Sequence, residues 1–209
     1  MKRVRRVAVL IFDQVETLDF AGPFEVFSVC GRPEDKRYFK VFTVAQKPGP
    51  ITAREGLSLN PARLLTDCPA PDVLVVPGGL GARQEMKNPV LLNWIRSASR
   101  TSELILSVCT GALILARAGL LDGLAATTHH LSLDLLRQIA PKTEVRAGER
   151  LVDNGRIVTA AGVSAGLDAS LHVVARLLDP DTARRTAAYI EYDWSGPARS
   201  GGGRPGPEK

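Results

Sequence analysis

Cys109 stands in the run Ser107-Val108-Cys109-Thr110-Gly111, and the chemistry such a run can do is nucleophilic. Its spacing is a cysteine version of the G-x-S-x-G nucleophile elbow, in which a strand turns sharply into a helix and pushes one side chain out. Gly111 allows the tight turn and a close helix–strand approach. A cysteine at a helix N-terminus meets unpaired N–H groups and the helix dipole, so the spacing predicts a thiol pKa below its free value of about 8.5. The plain alternative is a buried cysteine acting as a small apolar filler. The strand–Cys–Thr–Gly–helix context favours the nucleophile.

A nucleophilic thiol needs a proton partner and a place for charge to go. Asp19 can hold or deliver a proton if its own pKa is raised; its bland role is an N-cap for the helix that follows. Gly78 and Gly79, in Pro77-Gly78-Gly79, can present backbone N–H groups that join the N–H of Thr110 in an anion-stabilising hole. Thr110 can also offer its hydroxyl to substrate. His129 and His130 follow a short strand and can line the pocket, one of them as a base for Cys109; as an alternative they are capping or partly exposed. His172 lies in an apolar helix and reads as a satisfied interior histidine. Cys30 and Cys68 carry no motif and read as inert.

The elements that must position these residues alternate strand and helix. Leu104 to Val108 is apolar on both faces, as is a strand buried in a parallel sheet, and Ala112 to Leu121 is a helical run stopping at Gly119 and Gly123. Val7 to Phe12, Tyr38 to Ala45 and Asp72 to Val76 read as further strands. Asp13 to Leu18 reads as a polar turn, with a helix through Phe24 to Val29 and Pro23 in its first turn. Ile51 to Leu59 is a small β excursion, and Leu64 to Asp67 a connector. Glu85 to Ser99 and Leu131 to Ile139 are helical. Leu151 to Val158 is a hairpin whose Asn154-Gly155 favours a type I′ turn. Leu167 to Leu178 is an apolar helix, broken by Asp179-Pro180 before a last helix over Asp181 to Tyr192, capped by Asp181. This pattern predicts an α/β fold with a mostly parallel sheet and helices on both faces. Ligands bind at the carboxyl ends of such strands, where Asp19, Gly78-Gly79 and Cys109 all fall.

Composition bounds the rest. At 209 residues with ordinary apolar content (44%) and charge content (23%), the chain is one globular domain over residues 1–194, followed by a Gly/Pro-rich tail over 195–209 expected to be disordered. Three cysteines without metal spacing or an even framework favour free thiols in a reducing compartment, hence the cytoplasm. Three histidines form no Cys/His cluster, so no metal is expected. Neither a G-x-G-x-x-G in a first strand–helix unit nor a Walker A loop occurs, so no nucleotide cofactor is expected. Net charge is +5, partly terminal, without a basic face interleaved with aromatics, so nucleic acid is not an expected partner. No apolar stretch is long enough for a bilayer, so no membrane partner is expected.

The chain resembles the DJ-1/PfpI superfamily, and within it the isonitrile hydratase branch, from Val7 to about Tyr192. The carriers are Leu18-Asp-Phe-Ala-Gly-Pro-Phe-Glu-Val26, Val76-Pro-Gly-Gly79, Ser107-Val-Cys-Thr-Gly111, Ala118-Gly-Leu-Leu-Asp-Gly123, Ala126-Thr-Thr-His129 and Ala161-Gly-Val-Ser-Ala-Gly-Leu-Asp168. The resemblance implies a flavodoxin-like sandwich, a homodimer, a small-molecule substrate, and no metal or organic cofactor. Thr110 stands where peptidase-like and glyoxalase-like members often carry histidine, and Asp19 where many members carry Glu; both follow the hydratase pattern. His130 departs from it, since the hydratases resembled carry tryptophan there. The implied reaction hydrates an isonitrile to an N-substituted formamide. Cys109 attacks the terminal carbon, Asp19 serves as acid and then base, and Thr110 with the N–H of Gly79 holds the polar part of the adduct. Two alternatives accompany it. One is a non-catalytic ligand-sensing domain related to AraC-type, GlxA-like regulators. The other is a glyoxalase-like or redox-responsive member.

Overall fold

A computed structural model describes residues 3–196. The tail expected from residue 195 therefore lies, beyond Gly196, outside the described residues. The chain opens with β1 (Arg5–Leu10) and α1 (Thr17–Val29), then β2 (Phe39–Ala45), the short hairpin β3 (Ile51–Thr52) and β4 (Ser58–Leu59), and β5 (Arg63–Leu64). It continues through β6 (Val73–Val76), α2 (Ala82–Glu85), α3 (Pro89–Thr101), β7 (Leu104–Val108) and α4 (Gly111–Arg117). The last third holds β8 (Ala125–Ala126), α5 (Leu133–Ile139), β9 (Glu144–Val145), β10 (Leu151–Asp153), β11 (Ile157–Ala160), α6 (Ala165–Leu177) and α7 (Pro180–Tyr189).

Seven strands form the central sheet in the order β10-β11-β7-β6-β1-β2-β5. Every neighbouring pair is parallel except β10 with β11. The five long parallel strands thus follow the flavodoxin-like order, with its reversal between β1 and β6. Val73 to Val76 and Leu104 to Val108 are buried throughout, as strands covered on both faces must be. The helices α1, α6 and α7 pack together, while α2, α3 and α5 gather around α4. At the amino ends of the strands, Arg5 pairs with Glu103 (2.8 and 3.1 Å) and the Arg6 N–H donates to Asp72 (2.7 Å). Part of the basic N-terminus is therefore engaged on the side of the sheet away from the cysteine.

Several local expectations are corrected. The polar turn at 13–18 ends earlier, because α1 begins at Thr17 with Glu16 at its N-cap. The helix expected at 85–99 begins only at Pro89, since Glu85 closes the separate α2. The Asn88 side chain accepts from the N–H groups of Val90 and Leu91, and Pro89 opens α3, which is what Asn-Pro at a helix start does. The last helix is capped by Asp179, which accepts from the Thr182 N–H at 2.7 Å, and not by Asp181. The hairpin turn is not type I′, which needs positive φ at both central residues; Gly155 has it (84°) and Asn154 does not. Asn154 instead brackets the backbone of Ala125 with its amide. Leu64, at the start of the stretch read as connector, instead belongs to β5, which pairs with the end of β2.

Candidate active site

The elbow forms where β7 enters α4. Cys109 has φ of 57°, a left-handed conformation that costs a non-glycine residue energy and survives only where the surroundings hold it. They do so on three sides. The Cys109 N–H donates to the carbonyl of Ala161 (2.9 Å), the Thr128 hydroxyl donates to the Cys109 carbonyl (2.7 Å), and Gly111 lies against β6. A Cβ on Gly111 would come 2.0 Å from the Val76 carbonyl oxygen, so no larger residue fits there.

Asp19 sits in the first turn of α1, fully buried, and does not cap the helix. Its Oδ2 accepts from the Gly78 N–H at 3.0 Å. Its Oδ1 is buried without a hydrogen-bond partner among the described residues. Burial pushes the Asp19 carboxyl up to about 7, against the opposing pull of the Gly78 N–H and the nearby Cys109 thiol. Because Oδ2 is taken by an N–H, Oδ1 is the oxygen suited to carry the proton.

The thiol expectation is overturned in sign. Burial, reinforced by the charge of Asp19, pushes Cys109 up to about 12, while the N–H groups of Thr110 and Val163 pull the other way. The helix behind it runs only from Gly111 to Arg117, and its dipole does not offset desolvation beside a carboxylate. Cys109 and Asp19 therefore act as one proton-sharing unit rather than as a free thiolate with a spectator.

The glycine pair is arranged differently from the expected hole. The Gly78 N–H is committed to Asp19, and the Gly79 N–H to the Thr110 hydroxyl at 3.0 Å. That hydroxyl in turn donates to the Gly79 carbonyl at 3.1 Å. The N–H groups that favour an anionic sulfur are those of Thr110 and Val163. Val163 went unnoticed in the sequence, although it follows the last parallel strand, at the same sheet edge, and has a positive φ of 46°. Gly79, with φ of 122°, lies so close to Gln14 and Glu16 that a Cβ would come within 2.4 Å of their backbones. The Val15–Gly79 bridge thus ties the loop after β1 to the loop after β6.

A cavity of about 340 Å³ opens above the sulfur. Cys109, Thr110, Gly79, Val163 and His129 line it, together with Glu16, Arg54, Leu80, Arg83, Leu131 and Ser132. His129 is half-buried; its Nδ1 accepts from the Leu131 N–H (3.3 Å), and burial, then His130 and Arg83, lower its pKa. Its ring packs on Gly162. Neither histidine hydrogen-bonds Cys109 in this structure, so the partner of the thiol is Asp19. His130 is exposed and outside the cavity lining, its ring tilted on that of His129 at 4.3 Å. Gly78 is likewise absent from the lining and serves Asp19 instead. Cys30 and Cys68 are free thiols whose pKa burial raises to about 11. Among the described residues, no group of three or more His, Cys, Asp or Glu side chains is arranged to hold a metal, and no helix is long and apolar enough to cross a membrane.

With this geometry in view, residues 5–176 match the DJ-1/PfpI family, and the chain belongs to it. It is 36% identical over 196 residues to an isonitrile hydratase of Pseudomonas putida, covering 94% of this chain and 82% of that protein. It is 33% identical over 174 residues to the HTH-type transcriptional regulator CdhR of Pseudomonas aeruginosa, covering 83% of this chain but 51% of the regulator. Among solved structures, a ThiJ/PfpI family protein from Pseudomonas syringae superposes with a TM-score of 0.83 at 30% identity, over 96% of this chain and 80% of that one. DJ-1beta of Drosophila melanogaster shares the fold, with a TM-score of 0.79 at 19% identity over 92% of this chain and 100% of that one.

Proposed function

We propose that the protein is a cysteine-dependent lyase that hydrates an isonitrile, R–N≡C, to the formamide R–NH–CHO. The observation that carries this reading is Cys109 in the wall of a small cavity, with the Asp19 carboxyl, which titrates near 7, buried behind it and outside the cavity lining. A general acid–base group is most effective when its pKa lies near the working pH. The likeness to the Pseudomonas putida isonitrile hydratase supports the choice of reaction.

The steps follow from one shared proton. The Cys109 proton passes to Asp19 as sulfur adds to the terminal carbon, and Asp19 returns it to that carbon, leaving a thioimidate, R–N=CH–S–Cys109. Asp19 then takes a proton from water, whose oxygen adds to the same carbon, and the nitrogen receives that proton. As the C=O forms, the C–S bond breaks and the hydroxyl proton returns through Asp19 to sulfur. One water is consumed and both side chains are restored. The N–H groups of Thr110 and Val163 stabilise sulfur whenever it is anionic. Thr110, bonded to Gly79 in both directions, braces the wall of the site and keeps one hydroxyl lone pair for the adduct.

We take the working form to be a homodimer in the cytoplasm, formed by a domain over residues 1–194. The three free thiols accord with a reducing compartment. The test is formamide production from cyclohexyl isonitrile, followed by mass, beside Cys109→Ala. Turnover is expected with the natural sequence and none with the variant; full turnover by Cys109→Ala ends the covalent scheme. The raised thiol pKa and the likeness to CdhR favour a second reading, a ligand sensor. Binding of small molecules without turnover would move the assignment there.

A further inference from the structure

The cavity above Cys109 contains two guanidinium groups with unequal company. Arg54 pairs with Glu16 at 3.4 Å and with Glu55 at 3.5 Å. Arg83 has no carboxylate within ion-pair distance among the described residues. Its Nη2 donates to the Ser132 hydroxyl at 3.3 Å, and its other guanidinium N–H groups have no hydrogen-bond partner among the described residues. The acidic groups at the site do not balance it. Glu16 is engaged with Arg54, and Asp19 is buried against Gly78 and the thiol, titrating near 7. Arg83 and Arg54 are both among the influences that make His129 harder to protonate, behind burial and His130. Beside this excess of positive charge stand Leu80, 55% exposed, and Leu131, 79% exposed, both lining the same cavity. A guanidinium fork matches a carboxylate through two parallel hydrogen bonds, and a leucine pair offers cover for a short aliphatic segment.

We infer that the ligand of this site is a small carboxylate, with its anionic group on Arg83 and a short aliphatic chain beside Leu80 and Leu131. For the reactive end the inference rests on the hydratase reading, and the substrate class is then an isocyano-carboxylate. The docking of the anion does not rest on that reading. Ser132 orients the guanidinium and is a positioning residue.

The test pairs two readouts on the intact chain. The first is the kcat/KM ratio of short isocyanoalkanoates, from isocyanoacetate to 4-isocyanobutanoate, over their methyl esters. The second needs no turnover: the rate of Cys109 alkylation by iodoacetate over that by iodoacetamide, normalised to the same ratio for a simple thiol. Both ratios are expected to favour the anion by about tenfold at low salt, the scale of one partly exposed charge-assisted pair. Arg83→Gln is expected to erase most of that preference. Arg83→Lys keeps the charge and Ser132→Ala keeps the guanidinium, so both are expected to retain a clear part of it. Acids and esters turned over alike, with no iodoacetate preference, would overturn the inference and leave the hydratase reading standing. An Arg83-dependent iodoacetate preference without turnover of any isonitrile would do the reverse. An anion preference unchanged in Arg83→Gln overturns the assignment to this residue.

Discussion

Two carboxylates in this molecule, Asp19 with no exposed surface and Asp153 at an exposed position, have opposite fates. Asp153, at the end of β10, accepts from the His172 ring (2.7 Å), the Gly155 N–H (2.8 Å) and Arg176 (2.8 and 3.0 Å). Burial pushes its pKa up, but those partners outweigh burial and hold it below the usual carboxylate range. Asp19 is fully buried, and burial wins although the Gly78 N–H on Oδ2, the Cys109 thiol and the Val163 N–H all pull its pKa down. The contrast is one of burial and countercharge: a partly exposed carboxylate given several donors and a cation is a structural tie, and a fully buried one without a cation is a proton carrier. His172 departs from expectation in the same cluster. Its Nε2 is bonded to Asp153, but its Nδ1 is buried without a partner among the described residues.

The largest effect is expected from Asp19→Asn, which separates activity from stability. Turnover should fall by about a thousandfold or more, because the group that carries the proton is gone. Stability should move the other way. The folded pKa of Asp19, about 7, lies above the unfolded value of about 3.9, so its favourable contribution is complete below pH 4 and is lost as pH rises through 7. At pH 8 Asp19→Asn should therefore be more stable than the natural sequence, by roughly 4 kcal/mol, with the difference nearly gone by pH 4. Parallel denaturation at the two pH values reads this. The same residue sets the activity profile: the pair must hold one proton and not two, so kcat/KM should rise about tenfold per pH unit below 7 and level off above it. A profile flat from pH 5 to 8 would remove Asp19 from the chemistry.

Asp153→Asn should show the mirror image. Here the folded pKa is depressed, so stability is present above the unfolded value of about 3.9 and lost as pH falls through the folded one. The variant should lose about 1 kcal/mol at pH 7, since it leaves Arg176 and the His172 ring without their anion at a position that solvent partly screens. Activity per folded molecule should be unchanged. A large loss of turnover at full folding would mean that the two clusters are coupled and that burial and countercharge do not separate them.

How much of this was legible in the sequence follows the same division. The buried parallel strands are readable because they are apolar on both faces, as Val73 to Val76 and Leu104 to Val108 are. The elbow is readable because Gly111 must touch Val76. Asp19 is readable as a partner by its place after the first strand, but not its pKa, which is set by how completely α1 is buried there. The thiol pKa is misread from spacing alone, because desolvation is set by the packing of α1 and the loop at Val163 around the sulfur. Arg83 and Arg54 carry no local signal at all; α2 and the loop after β3 bring them to one cavity. β5 is two residues long and shows no alternation to read.

The finest test of the division is Thr128→Val. The hydroxyl lost here donates at 2.7 Å to the carbonyl of Cys109, the residue held at positive φ. The expected stability cost is about 1 kcal/mol, no more than that of Asp153→Asn. Turnover should nevertheless fall several-fold, because the elbow is free to relax toward ordinary backbone angles and carry Sγ away from Asp19. Thr128→Ser should restore both, and the rise of kcat/KM near pH 7 should persist in each variant, since Asp19 is untouched. If Thr128→Val lost stability alone, the strain at Cys109 would be a feature of packing. If it lost turnover at almost full stability, then position rather than proton supply limits this edge of the sheet, whereas at Asp153 neither does.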